Sequence, residues 1–104
     1  MFKAIILLQR RADMSREDFR HWWLGAHAKL ALGLPGLRGL SFNLVEGDAG
    51  DVDGVSELWF DSSSAFEAAY ASDLGKAVAA DSMAHVARRE RLFVAEHALR
   101  VPSA

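Results

Sequence analysis

The stretch from Arg10 to Gly39, RRADMSREDFRHWWLGAHAKLALGLPGLRG, carries a helix start, an apolar helical stripe, a histidine and a helix stop. No other segment constrains the fold as much. Ser15 followed by Asp18 has capping-box spacing: the serine oxygen accepts from the backbone N–H of the third helical residue, and the acid reaches back to the cap amide. Met14 before the cap and Phe19 at the fourth helical position are set to touch as a hydrophobic staple. Glu17 and Asp18 place negative charge at the positive end of the helix dipole. Phe19, Trp22, Trp23, Ala26, Leu30 and Leu34 then recur at three- and four-residue steps, which predicts one apolar stripe facing a core. Gly33 and the Pro35-Gly36 pair end the helix. At about 100° per residue, His27 falls roughly 60° from the centre of that stripe, at the border of buried and wet, and His21 falls on the opposite face.

A chain of 104 residues has the size of one domain, residues 1–104, with enough apolar content for a core. The formal net charge of -2 supplies no basic field for nucleic acid, and the cluster Arg88, Arg89, Arg91 is broken by Glu90, so it reads as a solvated face. The absence of cysteine removes disulfides and thiolate metal sites and fits a reducing cytoplasm. The longest apolar run, residues 4–8, is too short to span a bilayer, and nothing resembles a signal-peptide cleavage site. The expectation is a soluble cytoplasmic protein with no membrane and no nucleic-acid partner.

Residues 2–9 are apolar on both faces, as in a central strand covered on each side. Over residues 37–45, Leu40, Phe42 and Leu44 alternate with Ser41, Asn43 and Val45, which marks a second strand. The Gly- and Asp-rich segment EGDAGDVDG, residues 46–54, reads as a solvated hairpin loop into a third strand over residues 55–60. Asp48, Asp51 and Asp53 lack the glycine and terminal glutamate of an EF-hand loop, so a calcium site is set aside. Asp61 and Ser62-Ser63-Ser64, with Glu67 three residues after Ser64, cap a second helix. Ser72-Asp73 caps a further helix reaching about Val86, and residues 90–99 form a last strand before a Pro-containing tail.

The order β-α-β-β-α-β implies an α+β, ferredoxin-like fold: a four-stranded antiparallel sheet with helices on one face. Val55, Trp59 and Ile5 or Ile6 would then lie on an uncovered sheet face, which implies a homodimer packed sheet to sheet.

Among residues able to carry chemistry, His27 is either a general acid or base, since an imidazole titrates near neutral pH, or a boundary histidine bonding a backbone carbonyl. Asp81 and His85 are four apart and share a helix face with Leu74 and Val78. This spacing serves a carboxylate that fixes an imidazole tautomer, and equally a surface ion pair. Glu57 and Trp59 point to the dimer side of the third strand, where Glu57 has a raised pKa if unpaired or else bridges to an arginine. Asn43 can orient a ligand carbonyl or satisfy a turn, and Tyr70 reads as core. His27 and Asp81 are therefore the catalytic candidates, with Trp23, Asn43, Glu57, Trp59 and His85 as candidates for substrate contact. No nucleophile elbow, phosphate-cradling glycine loop or two-histidine metal spacing occurs. Metal and cofactor are accordingly both expected to be none.

The stretch RRADMSREDFRHWWLGAHAKLALGLPGLRG resembles the EthD family of the dimeric α+β barrel superfamily, in its Arg-rich strand end, Ser-led helix, Phe, Trp, His and Pro-Gly. The resemblance continues in DGVSELWFDS, which looks like the family's third strand, and in Asp81, which falls where relatives often carry an Asp. Where relatives often have an aromatic shortly after that Asp, this chain reads DSMAHV, so His85 departs from the pattern. The resemblance implies a homodimeric α+β barrel with a pocket between sheet and helices. The implied chemistry is acid/base work of isomerase, cyclase or dehydratase type on a small hydrophobic carbonyl or lactone compound. A non-catalytic protein binding small hydrophobic ligands and a cofactor-independent or haem-dependent oxygenase are the other readings it leaves open.

Overall fold

Alternation along β1 (Phe2–Arg10) buries Ala4, Ile6 and Leu8 on one side and turns Lys3, Ile5 and Leu7 to the other. The computed structural model, which describes residues 1–47 and 50–103, shows why both sides are apolar. β1 is central: it pairs antiparallel with β3 (Gly54–Phe60) on one edge and with β4 (Val86–Val94) on the other, and β2 (Gly39–Leu44) completes the order β2-β3-β1-β4. The helices lie on the Ala4, Ile6, Leu8 side, where their residues join Leu58 and Phe60 in one core. The fold is thus the ferredoxin-like α+β arrangement.

Ser15 caps α1 (Arg16–Trp22) by accepting from the Asp18 backbone N–H at 3.0 Å, and Met14 packs against the core as the staple requires. Arg10 ties this helix start to the sheet. Its backbone N–H and Nε donate to the Asp53 carboxylate, and its guanidinium donates to the Met14 carbonyl. Asp53 is therefore an arginine partner at the start of β3. Asp48 lies outside the described residues.

After Trp22 the helix departs from the periodicity of the sequence. Trp23–His27 forms a π-helical turn, in which the Ala28 N–H reaches back to the Trp23 carbonyl, before α2 (Ala28–Ala31) resumes. The wide turn holds one extra residue, so every later position slips around the axis by about 100°. Ala26 is exposed and His27 buried; Ala31 takes the place expected of Leu30. The boundary position assigned to His27 from an unbroken 3.6-residue period is corrected by this slip.

Two further boundaries differ, at the second helix cap and the last strand, while Ser72 caps a helix as expected. Ser62, and not Ser64, caps α3 (Ser63–Ala71) by accepting from the Ala65 N–H. Ser72 caps α4 (Asp73–His85), and Gly75 allows the α3–α4 corner, since a Cβ there would meet the Ala69 carbonyl oxygen at 2.1 Å. β4 begins directly at Val86 and ends at Val94, earlier than residues 90–99, because the β1 ladder captures the chain as soon as α4 ends. Among the described residues, no helix is long and apolar enough to cross a membrane, and no three His, Cys, Asp or Glu side chains converge as metal ligands.

Candidate functional site

The π turn and α4 bring His27 and Asp81 together across the helical layer: His27 Nδ1 lies 2.8 Å from Asp81 Oδ2. An ionised carboxylate can only accept, so Nδ1 carries the proton and donates. Trp22 Nε1 donates to the same oxygen at 3.1 Å, which pins the carboxylate from a second direction. With Nδ1 committed, the lone pair of His27 sits on Nε2, 3.4 Å from the buried Ser82 hydroxyl. The ring is 4% exposed. Burial pushes its pKa below the usual histidine value; the Asp81 hydrogen bond opposes that shift, and the nearby His85 and Arg89 charges reinforce it. The result is a neutral, oriented imidazole at neutral pH, able to accept a proton at Nε2 while the carboxylate behind it stabilises the cation formed.

His27 borders a small cavity of about 20 Å³ between helices and sheet. That volume suits one water, so a larger molecule enters only if lining side chains part. Phe42, one of them, is half-buried on edge strand β2, stacked on Trp23 at 4.4 Å with its ring 6.0 Å from His27. Trp23 lines the same cavity and is fully buried, with its indole against Gly54, where a Cβ would come within 2.7 Å of the ring.

His85 sits behind Asp81. Its Nδ1 is 2.8 Å from the Asp81 backbone carbonyl and 3.4 Å from the carboxylate, and its ring stacks on Trp22 at 4.2 Å. The i, i+4 spacing thus yields mainly a backbone contact, while the imidazole that Asp81 holds by its carboxylate at 2.8 Å is His27, from another helix.

Asn43, Glu57 and Trp59 are not brought to this site. They lie on the open face of the sheet, where Glu57 pairs with Lys3 at 2.7 Å and accepts from Asn43 at 3.1 Å, while Trp59 Nε1 donates to Glu96 at 3.0 Å. Glu57 is neither unpaired nor bridged to an arginine. The Lys3 hydrogen bond holds its carboxyl below the usual range, against the burial that would raise it.

Three cavity residues escaped the sequence reading. Ser82 follows Gly75 and Val78 at helical spacing on the buried face of α4, a polar residue in an apolar stripe that could have been found. Tyr70, read as core, lines the cavity beside Arg89, and burial raises its pKa. Arg89, read with Arg88 and Arg91 as a solvated face, stands opposite Leu8 on the helix side of β4 and lines the cavity. That reading is corrected by strand alternation: Arg88 points away while Arg89 points in. Its side chain is one of two in which a buried nitrogen has no hydrogen-bond partner among the described residues, the atoms being Arg89 Nε and Trp23 Nε1.

Comparison with known proteins agrees with this fold. A curated relative, the 4-carboxymethyl-4-methylbutenolide mutase of Pseudomonas reinekei, is 31% identical over 87 residues, covering 74% of this chain and 80% of the relative. The crystal structure of an ethyl tert-butyl ether D (EthD) family protein from Bacillus halodurans superposes with a TM-score of 0.82 at 24% identity, covering 93% of this chain and 99% of that one. A dimeric ferredoxin-like protein of unknown function from Thermobifida fusca superposes at 0.75 with 21% identity, covering 91% of this chain and 90% of that one. The EthD domain profile matches residues 11–89, from the end of β1 through α4 into β4, and this chain belongs to the EthD family.

Proposed function

We propose that the chain is an isomerase-type enzyme that relocates a proton on a small carbonyl or lactone compound, with His27 as base and then acid and Asp81 as its positioning residue. The observation that carries this reading is the buried His27 ring, held through Nδ1 by Asp81, with the basic Nε2 3.4 Å from the Ser82 hydroxyl and both residues lining one cavity. Nε2 takes a proton from the carbon beside one carboxyl group, and the electron pair forms a C=C bond as the lactone oxygen leaves as a carboxylate. The other carboxylate then adds to the far alkene carbon while the imidazolium, stabilised by Asp81, returns the proton beside the second carbonyl, so one C–H and one C–O bond break, one of each forms, and no oxidant enters. The mutase relative, which by its name acts on a butenolide, supports the substrate type.

The test is hydrogen–deuterium exchange and isomerisation of 4-carboxymethyl-4-methylbutenolide in D2O, followed by NMR. His27→Asn keeps a donor toward Asp81 but has no titrating base, and should lower the rate by about 10²- to 10⁴-fold. Asp81→Asn should lower it less, and the double variant should be no slower than His27→Asn, because the two groups act as a unit. An unchanged rate in a folded His27→Asn protein would overturn the assignment. Ligand binding without exchange in the wild-type protein would instead make the chain a non-catalytic binder.

We also infer a homodimer closed through the open face of the sheet. Ile5, Leu7, Val55 and Trp59 are only half-buried there in the single chain, and Leu92 is exposed beside them. The dimeric ferredoxin-like relatives support this arrangement. Light scattering at micromolar concentration should give twice the 11.4 kDa chain mass; the chain mass itself would remove the dimer.

A further inference from the structure

The cavity beside His27 contains a cation for which the proton-transfer reading has no use. Arg89 reaches inward from β4, opposite Leu8, into the space shared by His27, Trp23, Tyr70 and Ser82. Among the described residues no carboxylate pairs with it. Its neighbour there is the Tyr70 hydroxyl, whose oxygen accepts from the guanidinium and whose own proton is left to donate. Among the described residues its buried Nε is without a partner, and so is the indole N–H of the fully buried Trp23 on the same cavity. Buried donors without partners are rare in folded proteins because each carries an uncompensated desolvation cost.

Both donors line one cavity, and one belongs to a guanidinium that stays charged at all working pH. The ligand group that satisfies such a set is a planar anion with several acceptor lone pairs, which a guanidinium grips through two parallel N–H groups. A neutral carbonyl would leave the charge uncompensated.

We propose that Arg89 is the specificity-determining anchor for a carboxylate on the substrate, so that the site takes carboxylate-bearing lactones or related keto acids in preference to neutral analogues. The Trp23 indole N–H and the Tyr70 hydroxyl supply the remaining donors around that carboxylate. This deepens the proton-transfer reading and rests on it for the placement of the reacting carbon beside His27. Anchoring one end of a small molecule on β4 fixes the distance of its ring from Nε2 on the π turn, which is how binding energy far from the reacting bond sets orientation.

The experiment compares 4-carboxymethyl-4-methylbutenolide with its methyl ester, two molecules alike in shape that differ in one negative charge, by isothermal titration calorimetry. The wild-type protein should bind the acid about 10- to 100-fold more tightly than the ester, the worth of a charged hydrogen bond. Arg89→Met should bring the acid down to the affinity of the ester, and Arg89→Lys should keep part of the preference. If Arg89→Met does not fold, the wild-type ratio and Arg89→Lys decide.

Equal affinities in the wild-type protein, no binding of the acid, or a preference that survives in Arg89→Met would each overturn the anchor. The outcomes separate from those of the proton-transfer reading. Acid-selective binding with no exchange of probe hydrogens in D2O leaves Arg89 standing and removes the base role of His27. Exchange with equal acid and ester affinities does the reverse.

Discussion

On the open face of the sheet the charged groups satisfy one another, whereas beneath the helices two buried donors have no partner among the described residues. Lys3 meets Glu57 at 2.7 Å and Glu96 at 3.3 Å and lies 4.8 Å from the centre of the Trp59 ring, Trp59 donates to Glu96, and Asn43 donates to Glu57. Every acceptor in that cluster faces a donor, which is what a cluster covered by protein alone requires. Under the helices, His27 and Trp22 satisfy Asp81, but Arg89 Nε and Trp23 Nε1 remain open. Polarity by itself therefore does not mark a site in this molecule. An unbalanced set of buried donors around a cavity does, because the imbalance has a physical cost that a ligand can relieve.

The strongest way to break this comparison is through Trp23, which the helical side uses both as packing and as a donor. Trp23→Ala removes a fully buried ring stacked on Phe42 and should destabilise the fold by about 3–5 kcal/mol, measured by denaturant unfolding. A loss below about 1 kcal/mol would mean that the ring does not fill the core.

Acidification separates the two faces by pH. Burial lowers the folded-state pKa of His27 below its unfolded value of about 6.5, so the unfolded chain takes up the proton first. The stability tied to neutral His27 is present above that value and is lost as pH falls through the lowered one. Glu57, also lowered, loses its contribution only below the usual carboxylate pKa of about 4.3. Thermal melts should therefore decline first between neutrality and about pH 5, a decline removed in His27→Asn, and again at lower pH. A flat profile down to pH 5 would contradict the burial of His27.

The smallest effect is expected on the open face. Glu57→Gln keeps an acceptor for Asn43 and loses the charge pair with Lys3, so turnover by the folded protein should stay within about twofold of wild type. A tenfold loss of turnover at unchanged oligomeric state would place Glu57 in the chemistry and erase the distinction between the faces.

The elements that local chemistry specifies were legible without coordinates. Ser15 and Ser72 stand where a helix start needs an acceptor, and the alternation Leu40, Phe42, Leu44 stands where a strand buries one face. His27 and Asp81 were legible as types with useful pKa values. Their contact was not, because they are 54 residues apart and the spacing argument reaches only neighbours on one helix. Spacing attached Asp81 to His85 instead, and the observed bond between them runs mainly to the backbone carbonyl.

Arg89 was hidden for a related reason. A run of three arginines broken by one glutamate has no internal sign of which side chain turns inward. That follows only from where β4 begins and how it registers with β1, including the shift between Gln9 and Arg10.

The sequence by itself determined the order of elements, the caps that start the helices, the strand faces and the family, because each rests on contacts within a few residues or on a pattern carried along the chain. The tertiary structure alone decided that Trp23–His27 opens into a π turn, that His27 is buried against Asp81, and that Arg89 closes the same cavity. A helix can take one wide turn at little local cost, and whether it does is set by the packing it gains. Here that packing is the seat of Trp23 between Phe42 and Gly54 and of His27 beside Asp81, partners supplied by β2, β3 and α4.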